Sequence, residues 1–161
     1  MRNLRCQKNV TAYHNESLEE LVWAMKASEG NFSVLLAHCN DPFLQNSIRQ
    51  HLLTIYERNI QEIFIEKSDT KLYTFIEAKL INEQVTALMV YGLESVTEID
   101  KVLITTNIFR DNFKNFSLPI VLWVNDEVIV KLQRIAPDFY SWTTTTQFAV
   151  ISDESRKTPE F

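Results

Sequence analysis

Residues 118–142, LPIVLWVNDEVIVKLQRIAPDFYSW, carry an all-apolar run, Ile120-Val121-Leu122-Trp123-Val124, that meets the polar pair Asn125-Asp126 and continues into a helical pattern. An uninterrupted β-branched and aromatic run of this length reads as a strand buried on both faces, as in a parallel sheet. Asn125 or Asp126 can cap the following helix, whose Val128, Leu132 and Ile135 repeat on one face. Ala136-Pro137 stops it, because proline disfavours helical geometry in the residue before it. Strand, polar turn, helix and stop make a βα unit, and the unit recurs upstream.

Phe32–Ala37 (FSVLLA) is a buried strand followed by His38-Cys39-Asn40-Asp41. Asp41 suits a helix cap and Pro42 the first turn, ahead of a stripe of Phe43, Leu44, Ile48, Leu52 and Ile55. A short strand, Glu62–Ile65, a helix over Leu72–Ile81 and a strand over Gln84–Tyr91 follow, the last closed by Gly92. Ser17 to Glu20 and Ser95 to Glu98 match capping boxes. The first opens a helix over 17–29 with Leu18, Leu21, Val22 and Met25 on one face, and the second a long helix over 96–116. Gln147–Ile151 (QFAVI) supplies a fifth strand. Residues 1–16 read as a flexible arm, 17–151 as one α/β domain, and 152–161 as a flexible polar tail.

Strands alternating with helices at this spacing imply a three-layer sandwich, a mostly parallel five-stranded sheet with helices on both faces. Any ligand crevice then lies outside the carboxyl ends of the strands, at His38–Asp41, Gly92–Ser95 and Asn125–Asp126.

Composition narrows the classes of function. Net charge is −5, from 16 basic against 21 acidic residues, which disfavours broad nucleic-acid or anionic-membrane binding. No apolar run approaches the ~20 residues that span a bilayer. Cys6 and Cys39 do not form a disulfide framework, and a cytoplasmic chain with reduced thiols is expected.

The candidate sites fail one by one on chemistry. A phosphate loop needs glycines that let its amides curl around the anion, and a lysine beside them. Here Ala37 and Pro42 stand where the glycines belong, Phe43 and Leu44 where the Lys and Ser/Thr belong, and the whole chain holds only Gly30 and Gly92. No aspartate ends the Gln84–Tyr91 strand where a magnesium-holding acid would sit. His38 and Cys39 are neighbours on a strand end and face opposite ways, so His38 is badly placed as a base for the thiol. Asp41, Glu94 and Asp126 could converge on a hard cation, but Asp41 and Asp126 are equally expected as helix caps. No zinc-ligand spacing occurs. Catalytic, cofactor and metal residues are therefore all expected to be absent.

The stretch 118–142, with the "FAV" that follows and "FSVLLAHCNDPFLQNSIRQHL" upstream, resembles the degenerate STAND-type P-loop domains near the N-termini of bacterial, notably cyanobacterial, multidomain proteins with tetratricopeptide repeats. In that family a cysteine-asparagine-aspartate-proline turn replaces the phosphate loop. The likeness runs from about Leu21 to Ile151, with Trp123 and Ala136–Trp142 its most specific parts. It implies strand order 5-1-4-3-2, lost nucleotide chemistry, and a sensing or protein-interaction role in signalling or conflict systems.

Two classes of function follow. The first is a non-catalytic module that pairs with itself or docks another domain of a longer chain, without nucleic acid, membrane or cofactor. Its surface is expected on the 96–116 helix, where Ile104 and Phe116 lie off the core-facing stripe unless helix 17–29 covers them. Glu62–Ile65, with charged flanks, is the expected edge strand. The alternative is a small-ligand or nucleotide-binding domain, or an enzyme, using the crevice around His38–Asp41 and Glu94. A third, weaker reading is a receiver-like phosphoacceptor domain, for which the chain lacks the acidic pair expected after the first strand and an aspartate ending the third.

Overall fold

The computed structural model describes residues 2–81 and 84–149. Its strands are β1 (Ser33–Cys39), β2 (Ile60–Phe64), β3 (Ala87–Tyr91), β4 (Pro119–Val124) and β5 (Thr143–Phe148). They form one sheet in the order β2-β3-β4-β1-β5, every pair parallel. Read from the other edge this is 5-1-4-3-2, the order expected. The helices are α1 (Arg2–Ala27), α2 (Pro42–Ile55), α3 (Leu72–Lys79), α4 (Ile99–Ile108), α5 (Asp126–Ile135) and α6 (Pro137–Tyr140). No helix among the described residues is long and apolar enough to cross a membrane.

Alternation along the strands builds two cores. Val34, Leu36, Leu88, Val90, Ile120 and Leu122 face α3, α4, α5 and α6, while Leu35, Ala37, Met89, Val121 and Trp123 face α1 and α2. The segregation follows from chain direction. β1 connects towards β2 through α2, whereas every later connection runs back the other way, and right-handed crossovers put opposite directions on opposite faces.

β4 is buried at every position, with Pro119 at its first residue, where no ladder hydrogen bond from its nitrogen is needed. Trp123 is 1% exposed in this central strand. Its ring belongs to a row that crosses the sheet: Phe64, Tyr91, Trp123 and Phe148 stack at successive centroid distances of 4.9, 6.0 and 5.9 Å. Ala37 pairs with Trp123 on one side and Thr146 on the other, and Cys39 pairs with Phe148, so the β1 positions between the last two rings carry small side chains.

Several elements differ from the sequence reading. α1 starts at Arg2 and runs through Ser17, so the capping box there does not begin a helix. Residues 2–16 contain neither proline nor glycine to stop it. α4 is capped at Glu98 without a side-chain bond and ends at Ile108; a 3₁₀ turn over Leu93–Ser95 takes up Ser95 ahead of the expected 96–116 helix, and another over Arg110–Asn115 replaces its last part. The Thr105 and Thr106 hydroxyls bond back to the Val102 carbonyl, a competition that weakens a helix end. β5 is Thr143–Phe148 instead of Gln147–Ile151, because four β-branched threonines form the strand and pair with β1 in register. Ile151 and the 152–161 tail lie outside the described residues.

Candidate functional site

The carboxyl ends of β1 and β4 are adjacent, and their connections leave in opposite directions, towards β2 and towards β5. This is the topological switch point of the sheet, where open α/β folds place their ligands. The loops that would diverge there are tied together. His38 Nε2 is hydrogen-bonded to Asp126 Oδ1, and Asn40 Nδ2 donates to Asp126 Oδ2 at 3.0 Å. The Asp126 backbone N–H in turn donates to Asn40 Oδ1 at 2.8 Å. Asn40 thus grips the side chain and the main chain of one residue, and the carboxylate uses both oxygens.

The amides that could hold an external anion are occupied as well. The Asp41 carboxylate accepts from the Phe43 and Leu44 amides at 2.8 and 3.0 Å, capping α2 as its position before Pro42 predicts. Asn125 caps α5 by accepting from Val128 N at 2.9 Å, which decides between the two candidate caps and leaves Asp126 free for the clasp. At the N-terminus of α2, where a P-loop would seat phosphate, the protein presents its own negative charge.

Cys39 points to the opposite face from His38, into the core with Trp123 and Phe148, and its thiol donates to the Asp41 carbonyl at 3.4 Å. Burial pushes the thiol's pKa up, which disfavours a nucleophilic thiolate. Glu94 is exposed on the turn after β3. Asp41, Glu94 and Asp126 do not gather, and no group of three or more potential metal ligands exists among the described residues.

A second polar cluster was not foreseen. Arg49 of α2 holds Glu62 of β2 through Nε and Nη2, the latter at 2.8 Å from Oε1, and Tyr91 Oη donates to Glu62 Oε2 at 2.7 Å. The Arg49 hydrogen bond, opposed by burial and helped by Tyr91, holds the Glu62 carboxyl below its ordinary value. Burial and the Glu62 hydrogen bond raise the Tyr91 phenol. The cluster fastens α2 to the edge strand and is closed on itself, so it offers no free group to a substrate.

Phe116 is 5% exposed and packs on Tyr73 and Phe113, which removes it from the expected surface. Its cover is α3 and the 3₁₀ turn, whereas α1 lies on the other face of the sheet. Ile104 is 48% exposed, and Ile108 and Phe109 beside it are 63% and 52% exposed. A shallow cleft of about 170 Å³ adjoins them between α3 and α4, lined by Lys71, Tyr73, Thr105, Phe109 and Asn112 among others. No known family model matches the chain, and no curated protein matches it in sequence.

Proposed function

We propose that this chain is a non-catalytic protein-recognition module of a larger bacterial signalling or conflict-system protein, on a P-loop-like frame that has lost nucleotide chemistry. The observation that carries this reading is the state of the switch point. The α2 amides are held by Asp41, and the His38–Asn40–Asp126 clasp spans the gap between β1 and β4. The resemblance of residues 118–142 to degenerate STAND-type domains supports the same reading. Such a module acts by contact, and the α4 face bearing Ile104, Ile108 and Phe109 offers apolar area to a protein partner in the cytoplasm.

Thermal unfolding with and without magnesium-ATP tests it. A ligand with Kd near 1 mM, added at ~10 mM, stabilises the folded state by about 1.4 kcal/mol, or roughly 3–6 °C for a chain of this size. An unchanged melting temperature is expected, and a saturable rise of that size overturns the proposal. The alternative, a ligand site or enzyme around His38–Asp41, draws on the His38–Asp126 pair at the switch point. It requires a small molecule whose binding is lost in His38→Ala.

A further inference from the structure

The cleft between α3 and α4 holds about 170 Å³, short of the ~300–1,000 Å³ that encloses a small-molecule ligand. It has room for a side chain, delivered by a longer molecule that also covers the exposed Ile104 and Ile108 on α4. The charges around it are unevenly satisfied. Asp100 is held by Lys131 at 2.7 Å, Asp111 by Lys114 at 3.5 Å, and Glu77 accepts from the Tyr73 hydroxyl at 2.8 Å. Lys71 lines the cleft, and Lys101 lies about one turn before its Thr105. Both lysines are exposed, and neither has an acidic partner among the described residues. Glu98, the cap residue of α4, is about two turns from Thr105.

We propose that this cleft docks an acidic peptide segment of another protein. One apolar side chain enters the cleft beside Tyr73 and Phe109, and flanking carboxylates meet Lys71 and Lys101. The unpaired lysines select the charge of the occupant. The net charge of −5 does not reverse that choice, because charges beyond ~8 Å are largely screened at physiological salt and the local pair decides. Two lysines beside an apolar face are too few for a nucleic-acid backbone or an anionic membrane, which take a basic stripe. The inference rests on the reading that the chain acts by contact at α4, and names the chemistry of the partner.

Selection of random ~12-residue peptides displayed on phage, with the whole chain as bait, tests it. Enriched peptides are expected to carry an excess of Asp and Glu around an aliphatic or aromatic anchor. The best is then measured as a free synthetic peptide by fluorescence anisotropy. Ile108→Asp and the double variant Lys71→Glu/Lys101→Glu are each expected to weaken it at least ~10-fold, with circular dichroism and melting temperature retained. The same peptide with lysine in place of its acids is expected to bind the charge-reversed variant. Salt gives a reading that needs no variant: affinity for the wild type falls between ~50 and ~500 mM sodium chloride. No enrichment over an unrelated bait, winners without an acidic excess, or binding indifferent to salt or to either variant overturns the proposal. So does a wild-type dimer in sedimentation velocity that Ile108→Asp abolishes, since a second copy would then be the occupant. Each of these leaves the contact reading standing while magnesium-ATP fails to bind. A saturable melting-temperature rise with magnesium-ATP strikes that reading instead.

Discussion

Replacing Trp123 by alanine and by phenylalanine separates two contributions made by one side chain. Trp123 is 1% exposed, stacked between Tyr91 and Phe148, and its Nε1 meets no acceptor among the described residues. A buried aromatic covers ~150–250 Å². At ~25 cal/mol per Å², and allowing for the methyl that alanine keeps, truncation removes about 4 kcal/mol. That lies within the ~3–5 kcal/mol typical of Trp→Ala in a core, and the two lost ring contacts move it towards the upper end. Phenylalanine keeps the stack and loses roughly 50 Å², or about 1 kcal/mol. It also relieves a buried N–H whose desolvation costs ~1–3 kcal/mol when unpaired. Trp123→Phe is therefore expected to leave stability between unchanged and ~2 kcal/mol higher. Equilibrium urea unfolding read by circular dichroism, with m-values checked for constancy, measures both variants. A phenylalanine variant as unstable as the alanine one refutes the reasoning about the indole N–H. An alanine variant costing under ~1 kcal/mol refutes the central-strand packing.

Glu62→Gln is expected to destabilise at neutral pH. Because the folded carboxyl titrates below its ordinary 4.5, its contribution is complete above that value and is lost as pH falls through the folded pKa. The gap between wild type and Glu62→Gln should be flat from about pH 7 to 5 and narrow below about 4.5, which chemical unfolding at a series of pH values will show. Gly92 has φ +96 and an added Cβ would lie 3.2 Å from the Ile65 carbonyl oxygen, whereas Gly30, at φ +79, faces open space. Both alanine variants lose about 1 kcal/mol or more to backbone strain, and Gly92→Ala must lose the more in the same unfolding assay; equal losses would contradict the close approach. Phe43→Lys restores one phosphate-loop residue but neither glycine, and calorimetry with magnesium-ATP is expected to show no saturable heat; binding gained from that single change would mean the turn is already competent.

The fold was readable where burial is symmetrical. β4 and the end of β1 are apolar on both faces, and Asp41-Pro42 and Asn125 mark the starts of α2 and α5 by their own chemistry. β5 was misplaced because a parallel edge strand of threonines is neither apolar nor alternating, and only its pairing with β1 sets its position. Ser17 and Ser95 look like caps locally, yet α1 runs past one and a 3₁₀ turn absorbs the other, since neighbouring residues decide whether a cap is used. Phe116 seemed surplus on one unbroken helix. The break after Ile108 turns it towards Tyr73 and into the core. At the site, the Asp41 cap is a local signal, but the clasp joins residues 86 and 88 positions apart. Arg49 and Glu62 likewise meet only because α2 packs beside β2.

The central claim is that the switch point holds the protein's own groups in place of a ligand. Site-resolved amide chemical shifts during a titration with magnesium-ATP to ~10 mM test it most directly, read at Asn40, Phe43, Leu44 and Asp126. Those amides donate to Asp41 and Asn40 or belong to the clasp, so the account predicts that their shifts stay unchanged throughout. Saturable, concerted movement of the Phe43, Leu44 and Asp126 amides would show that a phosphate displaces Asp41 and opens the clasp, and would contradict it.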